Sequence, residues 1–292
     1  MMQSCVRDLI RSDPNTALIL IDIGVYPFRD LLSEYPERVK NVGIFEPGTV
    51  GLAAGLSLAG ITPTVYGITP FIVERAYEQL KLDFVYQKLG GNFITTGASY
   101  DFSTLGYSHY CPEDVSLLFQ LPGMEILTPA TPKQFETLWA ACSENGRPSY
   151  FRLTDHACTS DVPVSYGKAT VLKEGTSATV VCVAETLDKT LSACRDLDVT
   201  ILYYATLQPF DYDALAASGN GKLIVCEPFY EGTTAQILLP ALAGRSVSLE
   251  SVGIPREVIR NYGTKEEKDA YYGLTENAIR EKIVASIRRK VQ

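Results

Sequence analysis

Histidine is nearly missing from this chain, with two in 292 residues. A metal centre built from several imidazoles is therefore excluded. The seven cysteines, at positions 5, 111, 142, 158, 182, 194 and 226, are an odd number with no CxxC pair. Neither a disulfide framework nor a cysteine zinc site is expected from such spacing. Cys182 and Cys226 sit in apolar runs and read as small core residues. No apolar stretch approaches the roughly 20 residues that span a bilayer, and residues 1–14 hold no leader-like apolar segment. The expectation is a protein of the reducing cytoplasm with no membrane partner. A cationic surplus is missing as well. The net charge is −8, and binding to nucleic acid needs clustered Lys and Arg, so no such partner is expected. The small clusters Arg147/Arg152 and Arg288, Arg289 and Lys290 are too slight to change this, and the second suits the C-terminus of a helix. Walker, GxGxxG, GxSxG and HExxH patterns are all lacking.

What is present is alternation. Short β-branched runs at 18–21, 64–66, 92–96, 125–128 and 149–152 are separated by stretches of helical spacing at 49–58, 74–89 and 134–143. Strands buried on both faces, alternating with helices, imply a mostly parallel sheet covered on each side. Residues 155–176 are polar and carry Pro163, Gly167 and Gly175, which reads as an interdomain crossing. Alternation then restarts, with strands expected at 179–183, 200–204, 222–226 and 248–252. A last helix begins at Thr275, a good N-cap, and sets Ile279, Ile283 and Ile287 four apart on one face. The fold class expected is α/β, with two three-layer domains spanning 1–165 and 166–292.

Three segments carry chemistry-bearing residues. Glu46 is a lone acid in an apolar stretch that leads into a small-residue helix (Gly51, Ala53, Ala54, Gly55). It is either an acid placed at a helix N-terminus or a carboxyl aimed into a cleft. Phe71 stands at a strand-to-helix turn, where open α/β sheets bind ligands, although a lone Phe also serves as core. His109 lies in a glycine-containing loop, a more common setting for a functional imidazole than an apolar helix face.

Taken together, the segments VGIFEPGTVGLAAGLSLAG, YGITPFIVERAYEQ and LGYSHYCPEDVSLLFQLPGMEILTPATP resemble the C-terminal half of transketolases. The likeness is greatest to the separate small subunit of two-chain transketolases, and it extends to 1-deoxyxylulose-5-phosphate synthases and 2-oxoacid dehydrogenase β-subunits. VTILYYATLQPFD and YGLTENAIREKI resemble the family's C-terminal domain, so nearly the whole chain, from about residue 5 to 288, takes part. The resemblance implies an enzyme of the transferase class that uses thiamin diphosphate and Mg²⁺ to move a two-carbon ketol unit from a ketose-type donor to an aldehyde acceptor. It implies that Glu46 bonds the aminopyrimidine ring nitrogen, that Phe71 stacks on that ring, that Asp22 lies near the cofactor, and that His109 faces the reacting carbonyl. The family's diphosphate- and Mg²⁺-binding pattern does not occur in these residues. The cofactor is therefore expected at an interface with an N-terminal, diphosphate-binding subunit, in an α2β2 heterotetramer acting on a small sugar or keto substrate.

Three departures from the family pattern stand out. Glu46 is followed by Pro47 rather than Gln. Tyr110 replaces the second of two histidines, and it is expected with His109 at the substrate. In Phe151-Arg152-Leu153-Thr154-Asp155, Arg152 matches the first arginine of a sugar-phosphate clamp while Asp155 stands in place of the second. An acid there repels phosphate. Two other readings remain: acyl transfer by a β-subunit of a 2-oxoacid dehydrogenase, and a non-catalytic assembly subunit.

Overall fold

The computed structural model describes residues 1–218 and 221–289. Six strands of the first half, β1 (Thr16–Leu20), β2 (Val39–Asn41), β3 (Thr62–Ile68), β4 (Gly91–Thr96), β5 (Glu125–Leu127) and β6 (Pro148–Arg152), run parallel in one sheet. The second half adds β7 (Thr170–Lys173), β8 (Thr179–Val183), β9 (Thr200–Tyr204), β10 (Thr206–Gln208), β11 (Lys222–Tyr230) and β12 (Ser248–Ile254). The first sheet has the order β10-β5-β6-β4-β3-β1-β2, and the second β12-β11-β8-β9-β7. Among the described strand pairs, β10 on β5 and β7 on β9 are the antiparallel ones.

Both faces of each sheet are covered, as the apolar runs require. In β4, Ile94 joins one hydrophobic cluster and its neighbour Phe93 the other. In β8, Val180 and Cys182 face one side and Val181 and Val183 the other. Full burial of such side chains stabilises by about 1.5–3 kcal/mol each. All seven cysteines are free.

The departures from expectation are local. The helix expected at 49–58 starts at Glu46, because Pro47 fits a first turn that needs no N–H. The long helix expected at 74–89 is instead Thr69–Val73, a break, Tyr77–Gln79 and a widened π-helical turn at Leu80–Val85. At the break, the N–H of Arg75 reaches back five residues to the carbonyl of Pro70 at 3.3 Å. The crossing expected over 155–176 contains strand β7. The closing helix is capped as expected, Thr275 accepting from the Ala278 N–H, with Ile279 and Ile283 buried. Arg289 pairs with Glu250 at 2.7 Å, while Lys290 lies outside the described residues.

The register decides where the site forms. Leu20, Tyr66, Ile94 and Phe151 lie in one row across β1, β3, β4 and β6. The segments that follow them, bearing Asp22, Phe71, His109 and Asp155, therefore emerge at one carboxyl edge of the sheet, where such folds bind ligands. The loop from β2 to Glu46 joins them there.

Candidate active site

Glu46 opens the helix Glu46–Leu58, and its residue is 2% exposed. The N-terminal end of the helix dipole favours an anion at that position. The preceding Phe45 folds back over Gly48, where a Cβ would sit 1.9 Å from the ring and oblige it to move. The one side chain bonded to the Glu46 carboxylate, among the described residues, is Arg75, whose Nη1 donates to Oε2 at 2.8 Å.

Phe71 lies one turn into the helix Thr69–Val73, half-buried. The Thr69 hydroxyl, donating to the Thr96 carbonyl at 2.9 Å, pins that turn to the end of β4. The Arg75 guanidinium lies over the Phe71 ring at 4.2 Å, and the His109 ring meets Phe71 edge-on at 5.2 Å. His109 ends a single turn at Tyr107–His109, with Nδ1 3.1 Å from the Ser108 hydroxyl. Phe102 supports it from the other side, centroids 6.3 Å apart. Phe102 in turn packs where Gly97, at φ +84, has no Cβ; one built there would lie 2.4 Å from the ring. The fold thus brings Glu46, Phe71 and His109 into one cluster, linked by Arg75 and Phe102. Sequence reasoning passed over both of the latter. The signal for Arg75 was its position four residues after Phe71, the spacing that sets side chains over one another.

The remaining expected residues lie outside this cluster. Asp22 is exposed with φ 56, a conformation short polar side chains tolerate. Its N–H donates to Asn41 Oδ1 at 2.9 Å, and it accepts from Asn41 Nδ2 at 3.2 Å. It therefore fastens β1 to β2, and its hydrogen bonds go to Asn41 rather than to the cluster side chains. Tyr110, expected at the substrate, is turned inward: it is 2% exposed and its hydroxyl donates to the Ser103 carbonyl at 2.5 Å.

Arg152 also departs from the substrate position. It is 2% exposed and bonds Asp114 at 2.9 Å and Glu185 at 2.8 Å. Ser99 takes a third N–H, and Phe229 lies under the guanidinium at 4.7 Å. Glu185 and Phe229 belong to the second half of the chain, so Arg152 bolts the two sheets together. All three guanidinium nitrogens are thereby engaged with the chain's own groups.

Asp155 is exposed, accepts from Thr96 Oγ1 at 3.2 Å, and donates its N–H to Asp101 Oδ2 at 3.1 Å. Burial, with the Glu185 charge behind it, pushes the Asp101 carboxyl up to about 7. Burial and then Asp155 push the Tyr66 phenol up to about 12. The Cys111 thiol donates to Glu74 at 3.5 Å, and burial lifts Glu113 to about 7. Among the described residues, Glu74, Cys111 and Glu113 are the one grouping with metal-ligand spacing. A thiol is not a ligand for Mg²⁺, which takes oxygen. No helix among the described residues is long and apolar enough to cross a membrane.

Known proteins resemble this chain in sequence and in fold. The family described as transketolase, pyrimidine binding domain, matches residues 8–159. An uncharacterised 33.6 kDa protein in the fasciation locus of Rhodococcoides fascians is 35% identical over 270 residues, covering 91% of this chain and 86% of that protein. One of the subunits of the apulose-4-phosphate transketolase of Phocaeicola vulgatus is 27% identical over 93% of this chain and 91% of its own length. A solved structure described as a split gene transketolase, inactive beta4 tetramer, superposes with a TM-score of 0.87 at 26% identity, covering 98% of this chain and 96% of that one. With the pyrimidine-binding domain matched over more than half its length, the chain belongs to the transketolase family.

Proposed function

We propose that the chain is the pyrimidine-binding subunit of a split, thiamin-diphosphate-dependent transketolase, moving a two-carbon ketol unit from a ketose to an aldehyde. The observation that carries this reading is the buried Glu46 carboxylate beside the half-buried Phe71 at one sheet edge. That pair fits an aminopyrimidine, which needs a carboxyl at its ring nitrogen and an aromatic face beneath it. Bound there, the cofactor supplies the nucleophilic carbon that takes up and releases the two-carbon unit. Glu46 holds a proton at the ring nitrogen, in a setting shielded from water. Phe71 fixes the plane of the ring. His109, half-exposed at the edge of Phe71, donates to the carbonyl or hydroxyls of the substrate. Asp22 shapes the neighbouring loop through Asn41. The diphosphate and Mg²⁺ fall to a partner chain, in an α2β2 assembly working in the cytoplasm. The thiol within Glu74–Cys111–Glu113 suits that division of labour. The split-gene relative whose β-chains alone form an inactive tetramer also supports it. Relatives described as transketolase subunits favour ketol transfer over acyl transfer or a purely structural role.

The test is calorimetric titration of thiamin diphosphate with Mg²⁺ into each chain alone and into their mixture. Tight binding only by the mixture is expected. Tight binding by this chain alone overturns the half-site reading.

The rim of the site points to a substrate end without phosphate. Asp155 and Asp22 are exposed there, and Arg152 is committed to the interior. An acidic rim repels a phosphate. The assembled enzyme is expected to favour unphosphorylated over phosphorylated substrates by at least about tenfold in kcat/KM, the equivalent of about 1.4 kcal/mol. The opposite preference, measured with matched pairs of sugars, refutes this assignment.

A further inference from the structure

Arg75 makes an unusual set of contacts for a half-exposed arginine. Its side chain is 44% exposed, yet Nη1 reaches the 3% exposed Glu46 carboxylate at 2.8 Å, and its guanidinium covers Phe71 at 4.2 Å. Among the described residues it has no other side-chain partner, and Glu46 has no other either. The two groups that grip Arg75 are the two that the proposed function assigns to the aminopyrimidine. A guanidinium and an aminopyrimidine share the relevant chemistry: each is flat, each stacks on an aromatic ring, and each presents N–H or ring nitrogen to a carboxylate in its own plane. An aminopyrimidine seated on the Glu46 oxygen and the Phe71 face that Arg75 now holds has to displace it.

We propose that Arg75 is a built-in stand-in for the aminopyrimidine, seated on Glu46 and Phe71 until the cofactor displaces it. The inference rests on the cofactor assignment made above. Arg75 fills the stacking position and holds a counter-charge on Glu46, so the buried carboxylate is never left unpaired in the chain awaiting its partner. The seat is weak enough to vacate. An ion pair with one exposed member and an exposed cation–π contact are each modest interactions, and the Arg75 side chain is already partly in water. Arg75 is thus a specificity residue: a ligand enters only if it offers both a stacking plane and a hydrogen bond that outcompete a guanidinium.

The experiment compares thiamin diphosphate affinity of the assembled two-subunit protein, wild type and Arg75→Ala, by calorimetry with Mg²⁺ present. Removing the competitor is expected to tighten binding about tenfold, the equivalent of about 1.4 kcal/mol. Millimolar methylguanidinium is expected to return the Arg75→Ala affinity towards the wild-type value, because the free cation can take the vacated seat. Arg75→Lys, charged but without the planar fork, should fall between the two. Weaker binding by Arg75→Ala makes Arg75 a cofactor ligand and overturns the proposal. Unchanged affinity, or no competition by methylguanidinium, also overturns it. If wild type and variant assemblies alike bind no cofactor, the cofactor assignment itself has failed. The result is then distinct from a cofactor-binding pair whose affinities do not differ.

Discussion

Arg152 and Arg75 each pair with carboxylates and each lie over an aromatic ring, and there the likeness ends. The Arg152 side chain is 1% exposed, and each of its three nitrogens donates, to Asp114, Glu185 or Ser99. Asp114 in turn accepts from the Tyr150 hydroxyl at 2.8 Å and the Val115 N–H at 2.8 Å. That region is closed: its polar groups satisfy one another, as interior groups must. The Arg75 region is open. A buried carboxylate there depends on a single cation that is itself 44% exposed. Glu46, Phe71 and His109 all have faces or atoms left over. A buried polar knot whose groups are all paired holds a fold together. A buried acid with one removable partner at a sheet edge is built to meet something else.

The largest effect should come from breaking the open region. Glu46→Gln keeps the shape and the hydrogen-bonding oxygen but cannot hold and return a proton. Turnover by the assembled enzyme is expected to fall about 10²–10⁴-fold, equivalent to about 3–5 kcal/mol of barrier. Gel filtration and thermal melting should be little changed. A near-normal rate would remove Glu46 from catalysis.

The closed region should respond in stability rather than in turnover. Arg152→Met leaves Asp114 and Glu185 buried without their cation, a loss of about 3–5 kcal/mol in unfolding free energy, read from denaturant titration of the chain. The KM of the surviving folded enzyme should stay within about twofold. A raised KM without loss of stability would return Arg152 to the substrate side.

The sequence made the sheet strands legible because their apolar runs are covered on both faces, as with Phe93 and Ile94 of β4. Of the four strands of three or four residues, β5 is buried throughout and was legible, while β2, β7 and β10 are only partly buried and too brief to show a period. At the site, Glu46, Phe71 and His109 were visible as unusual residues at turn positions. Arg75 was not, since a charged residue on a helix ordinarily reads as solvated surface. The family resemblance placed Arg152 beside the substrate, and local pattern had no means to correct it. Its partner Glu185 lies 33 residues away in the second half of the chain, and only the packing of two domains brings them together. Tyr110 misled for a similar reason: its acceptor, the Ser103 carbonyl, is backbone within an irregular loop.

The smallest effect tests the boundary between the two regions. Asp101 is 9% exposed, gives Oδ2 to the Asp155 N–H at the rim, and leaves Oδ1 without a partner. Burial first, and then the Glu185 charge of the closed region, raise its carboxyl to about 7. A raised carboxyl means the folded chain binds a proton more tightly than the unfolded chain does. Asp101 therefore adds stability when protonated, and that contribution is lost as pH climbs from the ordinary carboxylate range through about 7. Asp101→Asn keeps an acceptor for Asp155 and removes the titration. It should flatten the pH dependence and gain on the order of 1–2 kcal/mol at pH 8, with little change at pH 5, by denaturant midpoints at the two pH values. If the Asn variant instead keeps the wild-type slope but loses turnover, Asp101 belongs with Glu46 and His109. The open region would then extend along the rim to Asp155, and Arg152 would mark its inner wall.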